Sequence, residues 1–256
     1  MIHSTAIVDA SAKIASGVSI GPYAVIGSDV EIGEGTWVGP HVVINGRTRI
    51  GRNNRIFQFN SIGDIPQDKK FEEELSTLEI GDRNTIREYC TINRGTQLGG
   101  GVTRVGDENW IMAYVHIAHD CQVGNNVTMA NNATLAGHVS IGDHAVLGGF
   151  TLVHQFCAVG AYAFSAMGTA IGKDVAPYVM VSGQPARAHG LNSEGLKRHG
   201  FDAQTLRSLK TAYKTVFRSA LKAEEAIEQL DELGAGSPEV QALAEFIRTS
   251  TRGIVR

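Results

Sequence analysis

Aliphatic side chains recur along this chain at a strict spacing of six: Ile2, Val8, Ile14, Ile20, Ile26, Ile32, Val38, Ile44, Ile50, Ile56 and Ile62. The phase resumes at Ile80, Ile86 and Ile92 and is displaced by one residue across Thr96 to Arg104. It then runs through Val105, Ile111, Ile117, Val123, Met129, Leu135, Ile141, Leu147, Val153 and Val159, lapses at Ser165 and returns at Ile171. Four residues after an aliphatic position stands a small or β-branched one, as at Ala24, Val30, Thr36, Val42, Thr48, Val115, Val127, Ala133, Val139, Ala145, Thr151, Ala163 and Thr169. A fixed short period marks a solenoid, in which each repeat buries its apolar face against its neighbours. The pattern predicts a mainly β prism in which each hexad is a short strand plus a corner and three hexads close a triangular coil of 18 residues. Coils then stack at about 4.8 Å, and residues one coil apart become spatial neighbours.

Two stretches should leave the prism. Residues 64–78 take the space of two hexads but put Asp68 and Glu74 where aliphatics belong, and residues 95–104 hold the displaced phase and the glycines 99 to 101. Loops thrown out by a repeat scaffold usually cover or complete a site. After about residue 186 the period becomes helical: Asp202 can cap a helix carrying Leu206, Leu209, Tyr213, Val216 and Phe217, and Ser237-Pro238-Glu239 opens a last helix with Val240, Leu243 and Ile247. The expected organisation is a prism domain over 1–186 and a domain of three or four helices over 187–256.

Of the 256 residues 43% are apolar and only 19% charged, and most of the 30 glycines are scattered through the first two thirds, as regularly spaced turns require. A net charge of −3 with both signs mixed argues against nucleic acid or an anionic membrane as partner. Met1-Ile2-His3-Ser4 lacks a basic start with an apolar core, and no run approaches the roughly 20 apolar residues of a membrane span, so a soluble, cytoplasmic protein is expected. Cys90, Cys121 and Cys157 are too few and too far apart for a disulfide framework or a CxxC metal site. All three fall in the small inward column and read as packing.

The histidines fall elsewhere. His116, His119, His138, His144 and His154 miss both inward columns, and stacking by coils brings His138 and His154 toward the segment His116-Ile117-Ala118-His119-Asp120, with Gly137 one coil above His119 and Gln155 above that. Three readings compete for this patch. A zinc site would use three histidines, as in carbonic anhydrases of the same repeat class, but no further carboxylate arrangement supports it. A solvated surface is the second. General-base catalysis is the third and favoured one, because an imidazole with pKa near 6.5 accepts a hydroxyl proton at neutral pH and contributes roughly 10² to 10⁴ in rate. On the first long helix, Arg207, Lys210, Lys214 and Arg218 form one basic stripe, either a solvated face or a docking surface for an acidic carrier protein or cofactor phosphates.

The strings between the repeats are more specific than the repeats. Ile56-Phe57-Gln58-Phe59, Gln67-Asp68-Lys69-Lys70, His116 to Asp120, Ala130-Asn131-Asn132, Ala136-Gly137-His138-Val139, Val153-His154-Gln155-Phe156-Cys157, Asn192-Ser193-Glu194-Gly195-Leu196-Lys197-Arg198 and Thr251-Arg252-Gly253 together resemble bacterial UDP-N-acetylglucosamine O-acyltransferases, which open lipid A synthesis in Gram-negative bacteria. The likeness covers essentially the whole chain. It implies a left-handed parallel β-helix, although parallel crossovers are right-handed as a rule. It also implies a homotrimer with active sites in the clefts between prisms, where the sugar 3-hydroxyl attacks the thioester of a 3-hydroxyacyl acyl carrier protein. No cofactor is implied beyond the carrier's phosphopantetheine arm. By the same likeness His119 is the general base, Asp120 its orienting partner and the Gly137 backbone N–H the oxyanion donor. Gln67, Asp68 and Lys70 hold the sugar nucleotide, His116, His138, His154 and Gln155 line the cleft, and Asn192, Glu194 and Arg198 contact the nucleotide or the carrier's prosthetic group.

Two departures bear on this. His199 stands where relatives have a second Arg, which removes one phosphate contact, and Met167 stands where relatives that choose long chains have Gly. A larger side chain there should plug the acyl pocket. From His119 to Met167 is 48 residues, or about 2.7 coils and roughly 13 Å of height. At roughly 1.3 Å per carbon that holds about ten carbons, so a 3-hydroxydecanoyl donor is expected. Two alternatives remain. The N-acyltransferase of the same pathway shares the hexads but carries an additional N-terminal uridine-binding domain, whereas here hexads begin at residue 2; a 3-amino acceptor suits the same base. A non-enzymatic trimeric scaffold would leave the loop, the histidines and the C-terminal string without a purpose.

Overall fold

Each hexad contributes a strand of two residues, the first facing outward and the second inward, as in Ser19–Ile20, Glu31–Ile32 and Thr128–Met129. Such a strand cannot stand alone. It is held by pairing in parallel with the strand one coil on, Ile7 with Val25 and Val123 with Ile141, at the 18-residue offset of the register. The computed structural model, which describes residues 1–72, 74–219 and 221–256, stacks these strands into three sheets of nine, eight and ten strands, the walls of a left-handed parallel β-helix. Both inward columns are buried from Ile20 to Ile171, and Cys90, Cys121 and Cys157 lie among them as free thiols. Burial pushes the thiols of Cys90 and Cys121 up to about 12, which leaves them protonated and inert.

The lapse at Ser165 is a buried hydroxyl pair: Ser165 Oγ lies 2.8 Å from Thr151 Oγ1 in the core. The small inward column also holds asparagines that the pattern did not announce. Asn54 accepts from the Asn84 N–H, Asn84 from Asn109, and Asn109 from Val127, each at 2.7–2.8 Å, so successive coils are linked side chain to backbone through the interior. Buried amides are tolerable because their acceptors are satisfied in this way.

The corners take left-handed backbone. Among the described residues eighteen other than glycine have positive φ, including Tyr23, His41, Phe59, Tyr89 and Tyr114 on one edge and Asp120, His138 and Phe156 on another. That conformation costs roughly 1–2 kcal/mol per residue. Side chains stacked from coil to coil offset part of it: the rings from Tyr23 to Tyr114 follow one another at 4.9–5.2 Å.

Both excursions occur, with their ends shifted from the expected ones. Leu78 pairs with Thr48, 30 residues back, and Thr103 with Leu78, 25 back, so the insertions amount to twelve and seven residues beyond a coil. The chain leaves the prism after strand Ser61–Asp64 and rejoins it at Thr77–Ile80; it leaves again after Thr91–Asn93 and rejoins at Val102–Val105. The small inward position lies two residues ahead of each aliphatic one, so Leu78 and Thr103, both fully buried, are already in the wall. The ranges 64–78 and 95–104 therefore each extend too far at their C-terminal ends.

Nor does the sheet end at residue 186. Strand Arg187–Leu191 folds back antiparallel on Val179–Ser182 and closes the ten-stranded sheet. Among the described residues four helices follow: α1 (Ser193–Arg198), α2 (Ala203–Phe217), α3 (Ala223–Leu233) and α4 (Pro238–Thr249). Asp202 caps α2 by accepting from the Thr205 N–H at 2.7 Å. Leu209, Tyr213, Val216, Val240, Leu243 and Ile247 form the buried seam. The chain then returns to the prism, where Asp174 N–H donates to Gly253 O and Val255 N–H to Asp174 O. Among the described residues no helix is long and apolar enough to cross a membrane.

Candidate active site

The edge between the nine- and eight-stranded sheets gathers the candidate residues. Strand His116–Ile117 ends one wall, Gln122–Val123 begins the next, and the corner between them turns through Asp120 at φ 61°. Asp120 leans inward and is 4% exposed, while the His119 ring lies outside with its Nδ1 2.8 Å from Asp120 Oδ2. The carboxylate only accepts here, so Nδ1 carries the proton and Nε2 presents a lone pair to the surface.

One coil above, Gly137 has no side chain for a physical reason. A Cβ there would stand 2.6–2.7 Å from His119 Cε1 and Nε2, so only glycine lets the ring lie against the backbone. The neighbouring N–H groups are used, Ala136 to Val153 O and His138 to His119 O. The Gly137 N–H has no hydrogen-bond acceptor among the described residues. A base with a free lone pair thus sits beside an unspent backbone donor, the two elements that activate a hydroxyl and stabilise an oxyanion.

Burial is the largest influence on Asp120 and would raise its pKa. The hydrogen bond from His119, two from Thr96 and the nearby His138 outweigh it together and hold the carboxyl below its usual range. Oδ1 accepts from the Thr96 N–H at 2.8 Å, Oδ2 from the Thr96 hydroxyl at 2.7 Å, and the Asp120 N–H donates to Thr103 Oγ1. Burial also lowers the pKa of His138, aided by His119 and opposed by Asp120 and Asp68. His116 is lowered by burial and by His119. Both rings therefore favour the neutral form more than a free imidazole does.

The expected residues divide into two groups. His116, His119, Asp120, Gly137 and His138 meet at this corner: His116 bonds Thr91 Oγ1 at 2.6 Å, and the His119 and His138 rings stand edge to face at 5.1 Å. Asp68 acts electrostatically on His138 from the first loop, where its Oδ1 also accepts from the Lys70 N–H; Gln67 and Lys70 are exposed on that loop. His154 stands two coils above Ala118, its Nδ1 near Gln155 O and 3.4 Å from Arg252. Asn192, Glu194 and Arg198 do not join this corner within one chain. Asn192 caps α1 and donates to Tyr162 O, Glu194 pairs with Lys197 at 2.8 Å, and Arg198 is exposed on the same short helix. His199 packs edge to face on His144 and Tyr162.

The nitrogens of His119 and His138 and a carboxylate oxygen of Asp120 lie within 4.8 Å of one another, a spacing that a metal ion could use. Asp120 Oδ2 is already committed to His119 and Thr96, so an ion there would have to displace both bonds. Sequence reasoning missed Thr96, Thr103 and Phe156. Thr103 was detectable as a member of the small inward column. Phe156 was detectable as the residue one coil above His138, on which it stacks at 4.4 Å. Nothing in the pattern marks Thr96.

Comparison with known proteins gives one consistent answer. The family model described as Udp N-acetylglucosamine O-acyltransferase, Domain 2, matches residues 174–255, and the bacterial transferase hexapeptide model matches residues 102–137. Acyl-[acyl-carrier-protein]–UDP-N-acetylglucosamine O-acyltransferase of Paracidovorax citrulli is 60% identical, and that of Alkalilimnicola ehrlichii 57%, each alignment covering 100% of this chain and 99% of the relative. The crystal structure of the UDP-N-acetylglucosamine O-acyltransferase of Moraxella catarrhalis superposes with a TM-score of 0.98 at 49% identity, covering 100% of this chain and 99% of that one.

Proposed function

The chain belongs to the UDP-N-acetylglucosamine O-acyltransferase family, and from that premise we propose that it transfers a 3-hydroxyacyl group from acyl carrier protein to the 3-hydroxyl of UDP-N-acetylglucosamine, the first step of lipid A biosynthesis. The observation that carries the mechanism is the His119–Asp120 pair lying under the free Gly137 N–H. His119 Nε2 takes the proton of the sugar hydroxyl as its oxygen attacks the thioester carbon. The carbonyl oxygen, now an oxyanion, accepts from Gly137 N–H, and collapse of the intermediate breaks the C–S bond. The imidazolium then returns its proton to the phosphopantetheine thiolate. Asp120 stays ionised throughout and stabilises the imidazolium, so neither a covalent enzyme intermediate nor a cofactor of the protein's own enters.

Asp68, in electrostatic reach of His138, supports placing the sugar nucleotide between the first loop and this corner. Asn192, Glu194 and Arg198 stand at another edge of the prism, so a second copy of the chain would have to bring them to the site. That favours a homotrimer with clefts shared between prisms. Donor and acceptor, a carrier-bound thioester and a nucleotide sugar, fit a cytoplasmic enzyme. For the acyl chain, a recess of about 530 Å³ lined by Thr134, Ala136, Leu152, His154, Ala170 and Pro185 climbs the face above the histidines. Met167 is 80% exposed near the top of the prism, where a side chain can project into a neighbouring cleft. His119 and Met167 lie at different edges of the coil, so the roughly 13 Å of height is the shortest possible path for the chain. The ten-carbon donor rests on that measure.

Mass spectrometry of products from mixed acyl-carrier donors with UDP-N-acetylglucosamine tests reaction, acceptor and donor together. A 3-hydroxydecanoyl ester is expected, Met167→Gly should lengthen the preferred chain, and His119→Ala should lose about 10² to 10⁴ in rate. Equal use of a 14-carbon donor would remove the ruler, preference for a 3-amino sugar nucleotide would change the acceptor, and an active His119→Ala enzyme would remove the base.

A further inference from the structure

The second loop does more than cover the site. Thr96 is 6% exposed and reaches Asp120 twice, through its backbone N–H and its hydroxyl. The direction of the hydroxyl bond is fixed by its other partner. Thr96 Oγ1 accepts from the Gly99 N–H at 3.1 Å, which turns its proton toward Asp120 Oδ2. Gly99 packs so closely that a Cβ there would land on the Asp120 carboxylate. The loop is in turn tied to the first loop, because the Gln97 N–H donates to Glu74 Oε2. Glu74, in the loop of Asp68 and Lys70, is therefore linked by a hydrogen bond to Gln97, through the peptide bond to Thr96, and by hydrogen bonds from Thr96 to Asp120 and on to His119.

We propose that Thr96 is a positioning residue for acyl transfer, setting the orientation and basicity of Asp120 and through it the proton-accepting state of His119, and that Glu74 latches the loop that carries it. This rests on the general-base reading above. By donating to Oδ2 the hydroxyl disperses carboxylate charge. Without it Asp120 becomes the stronger base, the imidazolium of His119 is stabilised and the ring is protonated at higher pH. Bonds of this charge-assisted kind are strong enough for about a ten- to hundredfold effect on rate.

The test is steady-state kinetics against pH on the full-length protein with acyl carrier protein donor and UDP-N-acetylglucosamine. Thr96→Val should lower kcat about ten- to hundredfold with the sugar-nucleotide KM within about twofold, and move the acid limb of kcat/KM to higher pH. Thr96→Ser should restore both. Glu74→Ala should cost less than Thr96→Val and add nothing in that background. Wild-type kcat and acid limb in Thr96→Val overturn the proposal, as does a loss with an unmoved limb that serine does not rescue. Where valine prevents folding, judged by the melting curve, Thr96→Ala is read on the same criteria and Glu74→Ala alone must shift the limb in the same direction. Failure of this inference is distinct from failure of the reading beneath it: activity retained by His119→Ala sinks the general base, whereas full dependence on His119 with silent Thr96 variants sinks only the positioning role.

Discussion

All three edges of the prism carry a histidine in left-handed backbone, His41 among stacked aromatic rings, and of the other two the edge of His138 has the make-up of the proposed site while that of His144 does not. At the first, Asp120, His138 and Phe156 stack coil over coil; at the second, Asn126, His144 and Tyr162 do the same, and the ring separations are 4.4 and 4.6 Å. The difference lies in the neighbours. Where the first edge has His119 below Gly137, the second has Asn125 below Asp143, whose carboxylate fills the space and accepts the Asn125 N–H at 2.7 Å. Where the first has a buried carboxylate locked by a loop, the second has Asn126, and His199 packs against its stacked rings. A stacked histidine is thus an ordinary way to turn this corner. What distinguishes the proposed active edge is a glycine that opens room for a second ring and a loop that supplies donors to a buried charge.

Asp120→Asn gives the first edge the amide of the second and should have the largest effect. Asparagine can turn its NH₂ toward His119 Nδ1, which then no longer holds the proton, and Nε2 loses its lone pair in the favoured tautomer. Acyl transfer is expected to fall by about 10² to 10⁴, measured as kcat with saturating donor and acceptor. The same variant checks the electrostatics. The folded-state pKa of Asp120 is depressed, so its contribution to stability is present above the unfolded value of about 3.9 and is lost as pH falls through the lower folded value. Wild type should melt above the variant at pH 7, with the gap closing in acid; a gap that is constant with pH would mean the carboxylate is not held by the bonds from His119 and Thr96.

Gly137→Ala comes next, since it begins to fill the space that Asp143 fills at the other edge. The backbone of Gly137 is not in the left-handed region, so the substitution acts through the collision with His119 Cε1 and Nε2 at 2.6–2.7 Å. The ring must swing toward solvent, and a displacement of that order costs about 10² in rate. Melting should change little, because displacing the His119 ring leaves the buried bonds from Thr96 to Asp120 in place. An alanine variant at full rate would show that the ring does not work from this position.

How much of this contrast was legible in the sequence depends on whether a residue belongs to the repeat. Inward columns, coil register, the placement of Gly137 over His119 and the burial of the cysteines all follow from counting by six. The ends of the two loops do not, because the aliphatic column resumes only at Ile80 and Val105, two residues after the small inward position rejoins the wall at Leu78 and Thr103. Thr96 was unreadable for a deeper reason. Its loop has no period, and its partner Asp120 lies 24 residues away at a spacing that no coil predicts. Asn192, Glu194 and Arg198 could be matched as a string, but their distance from His119 in one chain becomes meaningful only if a second copy supplies the other wall.

The smallest effect is expected at the second edge itself. His144 stacks on Tyr162 and touches His199, and its buried Nδ1 has no hydrogen-bond partner among the described residues. A ring there is useful for stacking, while its nitrogen gives nothing back for being removed from water. His144→Phe keeps the ring and removes the nitrogen, so stability should be unchanged or higher by up to about 1 kcal/mol. Burial, with His199 adding to it and Asp143 opposing, lowers the His144 pKa. Its neutral form is therefore favoured in the fold, and the wild type loses that contribution as pH falls from about 6.5 through the lower folded value. Melting curves between pH 5 and 8 should show the phenylalanine variant gaining on wild type as the buffer becomes more acidic, with kcat within about twofold of wild type at pH 7. A large loss of kcat would place the second edge inside the chemistry and erase the distinction between the two corners, whereas the expected silence leaves the carboxylate, the glycine and the loop as what sets the active edge apart.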